Sequence, residues 1–291
     1  MKNILKIDDR VFNLVEFAVK AMLYEVSSYP SPGLVSPVSN GAHKDMDYYT
    51  FLKSTASLIK PMVICANEGF KAKNENELFL QIRNCGKEAE EYMMIRTKGV
   101  NTHRGMLFLM GITISAVAFS MKNNLGFQNI STVIKNMCDG IVEKELKNSN
   151  LCGELTHGET LYKKYGFKGI RGEVENGLSI IFNYSLPFYE GLKNNSNDNL
   201  EENQLLIKTL IKIMCKCDDS TIIYRHDFKK LDYVKKKANN ILDELNESNT
   251  FKERIEELNK EFIRENISPG GSADLLAITI FLYDIKNKFF K

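Results

Sequence analysis

Apolar residues along this chain recur at intervals of three and four. From Val11, the positions Leu14, Val15, Ala18, Val19, Met22, Leu23 and Val26 repeat in that way, which predicts an amphipathic helix with a broad buried face. It stops at Tyr29-Pro30-Ser31-Pro32-Gly33, where two prolines and a glycine forbid continuation and force a loop to about Asp47. The same periodicity predicts helices at about 47–71, 76–95, the uncharged run after Arg104, 129–147, 201–216, 227–246, 250–266 and 272–289. Period-two alternation bounded by hairpin turns is not evident, so the pattern predicts an all-α fold: one globular multi-helix domain over residues 1–291 with ligand loops at the helix ends. No repeat suggests a solenoid. Residues Lys193 to Glu202 are polar and low in complexity, which predicts a mobile surface loop inside that domain.

Composition sharpens this picture. Hydrophobic residues make up 43% of the 291 positions, enough for a sizeable core. The 39 basic and 37 acidic residues nearly cancel to +2, so no electrostatic footprint of a nucleic-acid binder is present and an anionic ligand must be held locally. Met1 to Arg10 lacks the uninterrupted apolar segment of a secretory signal, which predicts a cytoplasmic protein. The uncharged stretch Gly105 to Met121 falls short of the ~20 apolar residues of a spanning helix and predicts a buried core helix, not a membrane contact. Six cysteines, at 65, 85, 138, 152, 215 and 217, show no zinc-type spacing and read as reduced, mostly buried thiols.

Polar residues that look out of place gather in five places at helix ends. Glu25 lies in line with Leu14, Ala18 and Met22 in the last turn of its helix, where the macrodipole disfavours an anion; it is either paired with a neighbouring cation or part of a site. Gly41 to Asp47 places His43, Asp45 and Asp47 within five residues; an aspartate there caps the next helix, or the two carboxylates hold Mg²⁺. Lys98 to Gly105 opens into the uncharged helix with Lys98, Asn101, His103 and Arg104, an arrangement suited to phosphate unless Thr102 merely caps the helix. Thr156 to Glu159, with His157, and Lys168 to Glu175, with Arg171 and Glu173, combine glycine with acids, as ordinary turns or as general base and metal ligands. Ile267 to Leu275 is a glycine-rich turn in which Gly270, Gly271 and Ser272 form a phosphate cradle, or Ser272 caps and Asp274 is a first-turn acid.

These blocks, in this order, resemble the triphosphoribosyl-dephospho-coenzyme A synthase family, whose members make the prosthetic-group precursor of citrate lyase or malonate decarboxylase. The resemblance rests on Glu25-Val26-Ser27 with Pro30-Ser31-Pro32-Gly33-Leu34-Val35, Asn40 to Met46, Gly99 to Gly105, His157-Gly158-Glu159, Lys168 to Glu173, and Ser268 to Leu276. Ser36-Pro37-Val38 departs from the family pattern in a way that alters ligand contacts, and His226-Asp227 departs after Tyr224-Arg225, so Asp219, Ser220 and Arg225 rank below the site set.

The resemblance implies transfer of the 5-triphosphoribosyl group of ATP to the 2′-hydroxyl of 3′-dephospho-coenzyme A, with release of adenine. Such chemistry wants a carboxylate near the reacting carbon, a donor near adenine and cations on the triphosphate. It implies Glu25 or Glu159 as base or cation stabiliser and His43 or His103 as donor. It implies Asp45, Asp47, Glu173 and Asp274 as Mg²⁺ ligands, and Lys98, Asn101, Arg104, His157, Arg171, Gly270, Gly271 and Ser272 around the nucleotide. It further implies a link to a citrate lyase acyl carrier protein or its holo-transferase, and leaves the oligomeric state open, a homo-oligomer included. Two other classes fit parts of the sequence: a metal-dependent helical phosphohydrolase built on His226-Asp227, and a non-catalytic helical binding module.

Overall fold

The computed structural model describes residues 8–147, 155–194, 201–244 and 251–290. Among the described residues the chain is helical with no sheet, as its periodicity predicts. In chain order the helices are α1 (Asp9–Ser27), α2 (Tyr48–Ser57), α3 (Ile59–Lys71), α4 (Glu75–Arg96), α5 (Arg104–Lys122), α6 (Asn129–Met137), α7 (His157–Tyr165) and α8 (Gly169–Glu175). They continue as α9 (Leu186–Asn194), α10 (Glu202–Met214), α11 (Ser220–Arg225), α12 (Phe228–Glu244), α13 (Phe251–Arg264) and α14 (Gly270–Phe289), with π-helical turns at Glu143–Lys147 and Ile181–Ser185.

The two most apolar helices form the centre. In α5 the residues from Leu109 to Ser120 are buried without interruption, and α14 is buried nearly all round from Gly271 to Leu282, the pattern of helices enclosed by others. Each fully buried Leu, Ile or Phe contributes ~1.5–3 kcal/mol. By length and composition α5 could cross a membrane, but it is enclosed by protein: Ser115 Oγ donates to the Cys65 carbonyl of α3 at 3.0 Å and Thr113 Oγ1 to the Leu109 carbonyl at 2.7 Å. α1 packs on α14 and α3, while α4 closes the other side of α5.

Several expected boundaries shift for local reasons. The helix expected at 47–71 is two, divided at Leu58. Pro61 occupies the first turn of α3, where a missing N–H costs nothing but α2 cannot run through. The helix expected at 129–147 ends at Met137, followed by Gly140 at φ 69° and the π-helical turn. Residues 156–175, read as loops, form α7 and α8, and α9 and α11 were likewise not expected. Of the loop expected at 193–202, Lys193 and Asn194 finish α9 and Glu202 opens α10; residues 195–200 lie outside the described residues, as does Cys152.

The loop after α1 is pinned at Gly33. Its N–H donates to Asn259 Oδ1 of α13 at 3.0 Å, its φ is +71°, and a Cβ would collide with the Ile267 carbonyl oxygen. This contact docks the 28–47 loop against the turn that opens α14. Gly33→Ala combines left-handed strain with a backbone clash; it is expected to lower stability by about 3 kcal/mol or more in chemical denaturation, and a change within 0.5 kcal/mol would remove Gly33 as the anchor.

Candidate functional site

Helix ends that the bundle brings together enclose a cavity of about 1020 Å³, at the top of the range for ligand pockets. Its walls come from the end of α1, the 34–46 loop, one face of α4, the openings of α5, α7 and α14, and parts of α8 and α11. The α4 face, Phe79 to Met94, runs for roughly 22 Å at 1.5 Å per residue.

Glu25 and Asp274 stand on its wall with no cationic partner among the described residues. Glu25 is only 6% exposed and, among the described residues, its carboxylate has no hydrogen bond or ion pair. Burial raises its pKa from 4.5 to about 8. Asp274, in the first turn of α14, sits against Gly105 of α5, where any Cβ would strike its Oδ2. Its pKa is raised well above the usual value by burial, by Glu25 and by Asp219. The glycine that opens α5 thus leaves room for an acid from α14 at the positive end of a helix, where an anion is favoured.

Asp219, 1% exposed, ties this corner together. It caps α11 by accepting from Thr221 N at 3.0 Å, and it accepts from Ser272 N at 2.8 Å and Ser272 Oγ at 3.1 Å in α14. Burial pushes its carboxyl up, while the Ser272, Gly271 and Thr221 donors oppose that shift. One carboxylate therefore satisfies the orphan N–H groups of two helices.

The three histidines on the cavity wall have lowered pKa values. His43 faces Arg225 Nη2 through Nδ1 at 3.1 Å and Ser268 Oγ through Nε2 at 2.9 Å. A guanidinium only donates, so Nδ1 accepts and the proton sits on Nε2. Burial and then Arg225 lower the His43 pKa to about 4. His103 is 2% exposed and held to about 3 by burial. Thr102 Oγ1 donates to Ser54 Oγ at 2.7 Å, and the Ser54 hydroxyl meets His103 Nδ1 at 2.7 Å. That relay leaves the Ser54 proton for Nδ1 and places the imidazole proton on Nε2, which is buried without a partner. His157 stacks on Tyr224, centroids 3.5 Å apart, with its pKa lowered by burial and by Arg104 and Arg225.

Cations gather around the opening of α5. Arg104 pairs with Glu90 of α4 at 2.6 Å, Asn101 Oδ1 accepts from Arg104 N at 3.2 Å, and Lys98, at φ 56°, also lines the cavity. Arg171 joins the wall from α8. The structure thus brings Glu25, His43, Asp45, Lys98, Asn101, His103, Arg104, His157, Glu159, Arg171, Gly270, Gly271 and Asp274 around one space.

Other residues in the sequence-based set are engaged elsewhere. Asp47 caps α2 through Thr50 N at 2.8 Å and Glu173 accepts from Ile180 N at 2.7 Å; neither lines the cavity. Ser272 is turned to Asp219 rather than capping α14, whose N-cap is Pro269. Glu159 lines the cavity, but its carboxylate is held by Thr156 N at 2.8 Å and Thr156 Oγ1 at 2.8 Å in a capping box. His226 Nε2 meets the Asn266 carbonyl at 3.0 Å and Asp227 accepts from Lys230 N at 2.8 Å, both away from the cavity. Sequence reasoning left out Arg225, which also donates to the Ala42 carbonyl at 2.9 Å, and missed Tyr224, Arg83 and Lys87 on the wall. Among the described residues no group of three or more His, Cys, Asp or Glu side chains gathers as a metal centre.

Residues 12–290 match the family described as ATP:dephospho-CoA triphosphoribosyl transferase (CitG). The chain is 36% identical over 275 residues to a probable 2-(5″-triphosphoribosyl)-3′-dephosphocoenzyme-A synthase of Lactiplantibacillus plantarum, covering 92% of this chain and 95% of that protein. It is 34% identical over 280 residues to a protein of the same description from Vibrio cholerae serotype O1 (strain M66-2), covering 94% and 88%. It is also 36% identical over 281 residues to Protein CitXG of Leuconostoc mesenteroides subsp. cremoris, covering 92% of this chain and 58% of that longer protein. No solved structure matches the chain.

The unpaired Glu25 fixes the sign of a pH effect. Its folded pKa of about 8 lies above the usual 4.5, so the folded protein holds the proton more tightly than the unfolded chain. That stability is complete at acid pH and is lost as pH rises toward 8, at ~1.4 kcal/mol per unit. Without ligand, Glu25→Gln is expected to melt a few degrees above the native protein at pH 8 and together with it near pH 4.5. Equal melting temperatures at pH 8 would mean that Glu25 has a counter-charge.

Proposed function

The chain belongs to the ATP:dephospho-CoA triphosphoribosyl transferase family, and we propose that the cavity between α4, α5 and α14 is where it carries out the transfer, with Glu25 as the base. The enzyme moves the triphosphoribosyl group of ATP to dephospho-CoA. In the reading offered here, the bond between adenine N9 and C1″ of ATP breaks, the 2′-oxygen of the acceptor bonds to C1″, and the acceptor's hydroxyl proton balances the one adenine takes up. Positive charge builds on the sugar and electrons collect on the base.

The observation that carries this reading is the pair of unneutralised carboxylates, Glu25 and Asp274, enclosed beside a helix N-terminus that attracts phosphate. A protein tolerates such charges where its ligand supplies the compensation. Ionised Glu25 takes the proton of the incoming hydroxyl and stabilises the sugar cation. Its elevated pKa makes it a stronger base than an ordinary carboxylate. His103 presents Nε2–H, unpaired and fixed by the Ser54 relay, as the hydrogen-bond donor to the departing adenine. His43, engaged at both nitrogens, positions Arg225 and the Ser268 turn.

Free N–H groups at the opening of α5, with Lys98 and Arg104, seat the triphosphate, beside an α14 turn whose Gly270 and Gly271 allow close packing on Thr221 and Asp219. Asp274 and Asp45 offer only hard oxygen donors, which fit Mg²⁺ accompanying a nucleotide, since that ion takes one or two carboxylates and completes its shell with phosphates and water. When bound, Mg²⁺ would supply charge neutralisation to the triphosphate. The same proposal places the reaction in the cytoplasm, with its product passing to a citrate lyase or malonate decarboxylase acyl carrier protein through a holo-transferase.

Incubation with ATP, Mg²⁺ and dephospho-CoA is expected to release adenine in step with a coenzyme product heavier by one triphosphoribosyl unit. kcat/KM should rise with pH toward an apparent pKa near 8, because the base must be ionised in the free enzyme, and Glu25→Gln should lower kcat by about 100-fold or more. ADP or phosphate without adenine would contradict the transfer; full turnover by Glu25→Gln would contradict the role of Glu25.

A further inference from the structure

Away from Glu25, the cavity wall carries a charged cluster that the steps above do not use. Glu145, in the π-helical turn Glu143–Lys147, accepts from Arg83 Nε of α4 at 2.5 Å through one oxygen and from Arg171 Nε of α8 at 2.8 Å through the other. Its carboxylate thus lies between two guanidinium groups, 16% exposed. Burial works against its ionisation, but the Arg171 and Arg83 contacts outweigh that and hold its pKa below the usual range.

Both arginines line the cavity, and among the described residues their terminal nitrogens make no hydrogen bond. Two forks are therefore fixed at Nε, with Nη1 and Nη2 unspent. One carboxylate between two guanidiniums leaves a net positive charge, and Lys87, one helical turn after Arg83, adds another cation to the same wall. A planar fork with both terminal nitrogens free is suited to phosphate oxygens.

The position of the cluster separates it from the triphosphate seat. Arg83 precedes Glu90, the partner of Arg104, by seven residues on one helix, about 10 Å along its axis. The wall beside the cluster is apolar: Phe79 and Ile82 on α4, and Phe108 of α5, whose ring lies 5.8 Å from the Arg171 guanidinium carbon. ATP has only its adenine ring to place against such a wall, not a chain that could follow its length. A nucleoside diphosphate ester with a long, weakly polar arm leaving its second phosphate has such a chain.

We infer that Arg83 and Arg171, held on either side of Glu145, form a second anion seat that takes the diphosphate of the acceptor nucleotide, with the arm beyond it lying along Phe79, Ile82 and Phe108. This rests on the reading that the chain joins ATP to dephospho-CoA. Glu145 is a positioning residue: it touches no substrate, fixes both forks by their Nε atoms and removes part of the repulsion between them. The two seats hold the nucleotides end to end, so that the acceptor ribose and the ATP ribose meet near Glu25.

The test is titration calorimetry with dephospho-CoA alone, alongside initial-rate KM values for each substrate. Arg83→Ala and Arg171→Ala should each weaken dephospho-CoA binding about tenfold or more, as loss of a charged hydrogen bond does, with KM for ATP changed less than about threefold. Glu145→Gln should raise KM for dephospho-CoA while kcat at saturating acceptor stays within about threefold, a split that general loss of structure would not give. Arg83→Lys, at a position 28% exposed, tolerates substitution and should recover part of the affinity lost in Arg83→Ala. Because the titration needs no turnover, weakened binding in the arginine variants supports the seat even if the native protein releases no adenine, an outcome that would count against the proposed transfer alone. Unchanged dephospho-CoA affinity in both arginine variants, no binding by the native protein, or a rise in KM confined to ATP would overturn it.

Discussion

Two acids held at a junction of helix ends, with no counter-charge among the described residues, are the constraint around which the rest of this molecule is arranged. Glu25 lies in the last turn of α1 and Asp274 in the first turn of α14; burial lifts the Glu25 pKa to about 8, and burial together with the Glu25 and Asp219 charges lifts that of Asp274 well above the usual carboxylate range. Desolvating a carboxylate is costly enough that a group usually neutralises itself rather than remain charged. The empty site meets that demand with protons. The filled site meets it with the ion that accompanies the triphosphate and, as the adenine bond breaks, with the positive charge that builds on the sugar.

The scaffold makes this arrangement tolerable. α5 and α14 are apolar almost throughout and gain their stability by burial, so their N-termini can be given over to the cavity. Asp219 anchors the opening of α14 to α11 by accepting from backbone N–H groups of both helices. Gly33 docks the 28–47 loop on the Ile267 turn, which carries His43 to within hydrogen-bond distance of Ser268 and Arg225. The cavity is thus a product of helix ends rather than of a single motif.

Much of this was legible in the sequence, and what was not has a physical reason. An acid on an apolar stripe in the last turn marked Glu25, the turn before the uncharged helix marked His103 and Arg104, and the glycine-rich turn before the final apolar helix marked Asp274. The same residue types at other helix starts misled: Asp47, Glu159 and Glu173 satisfy backbone N–H groups of their own neighbourhood, and residue type alone does not distinguish a local acceptor from a ligand. Thr156-x-x-Glu159 carried a capping-box signature, yet α7 and α8 are short and glycine-rich and gave no long apolar period. Arg83, Lys87 and Glu145 were invisible because charges spaced along an amphipathic helix read as a solvated face; only the packing of α4, α8 and the π-helical turn turns them inward. Arg225 was set aside because its neighbours His226-Asp227 depart from the family pattern, although the guanidinium lies against His43.

The central claim, that the empty site stores protons on its buried carboxylates, is tested most directly by counting protons as the nucleotide binds. Calorimetric titration with Mg²⁺ and ATP at pH 7, in buffers of different ionisation enthalpy, gives that number. The account predicts net proton release from the native protein, since Glu25 titrates near 8 when the site is empty and near its ordinary range when compensated, and a release smaller by about one proton from Glu25→Gln. Binding with no net proton release, or with the same release in both proteins, would contradict it.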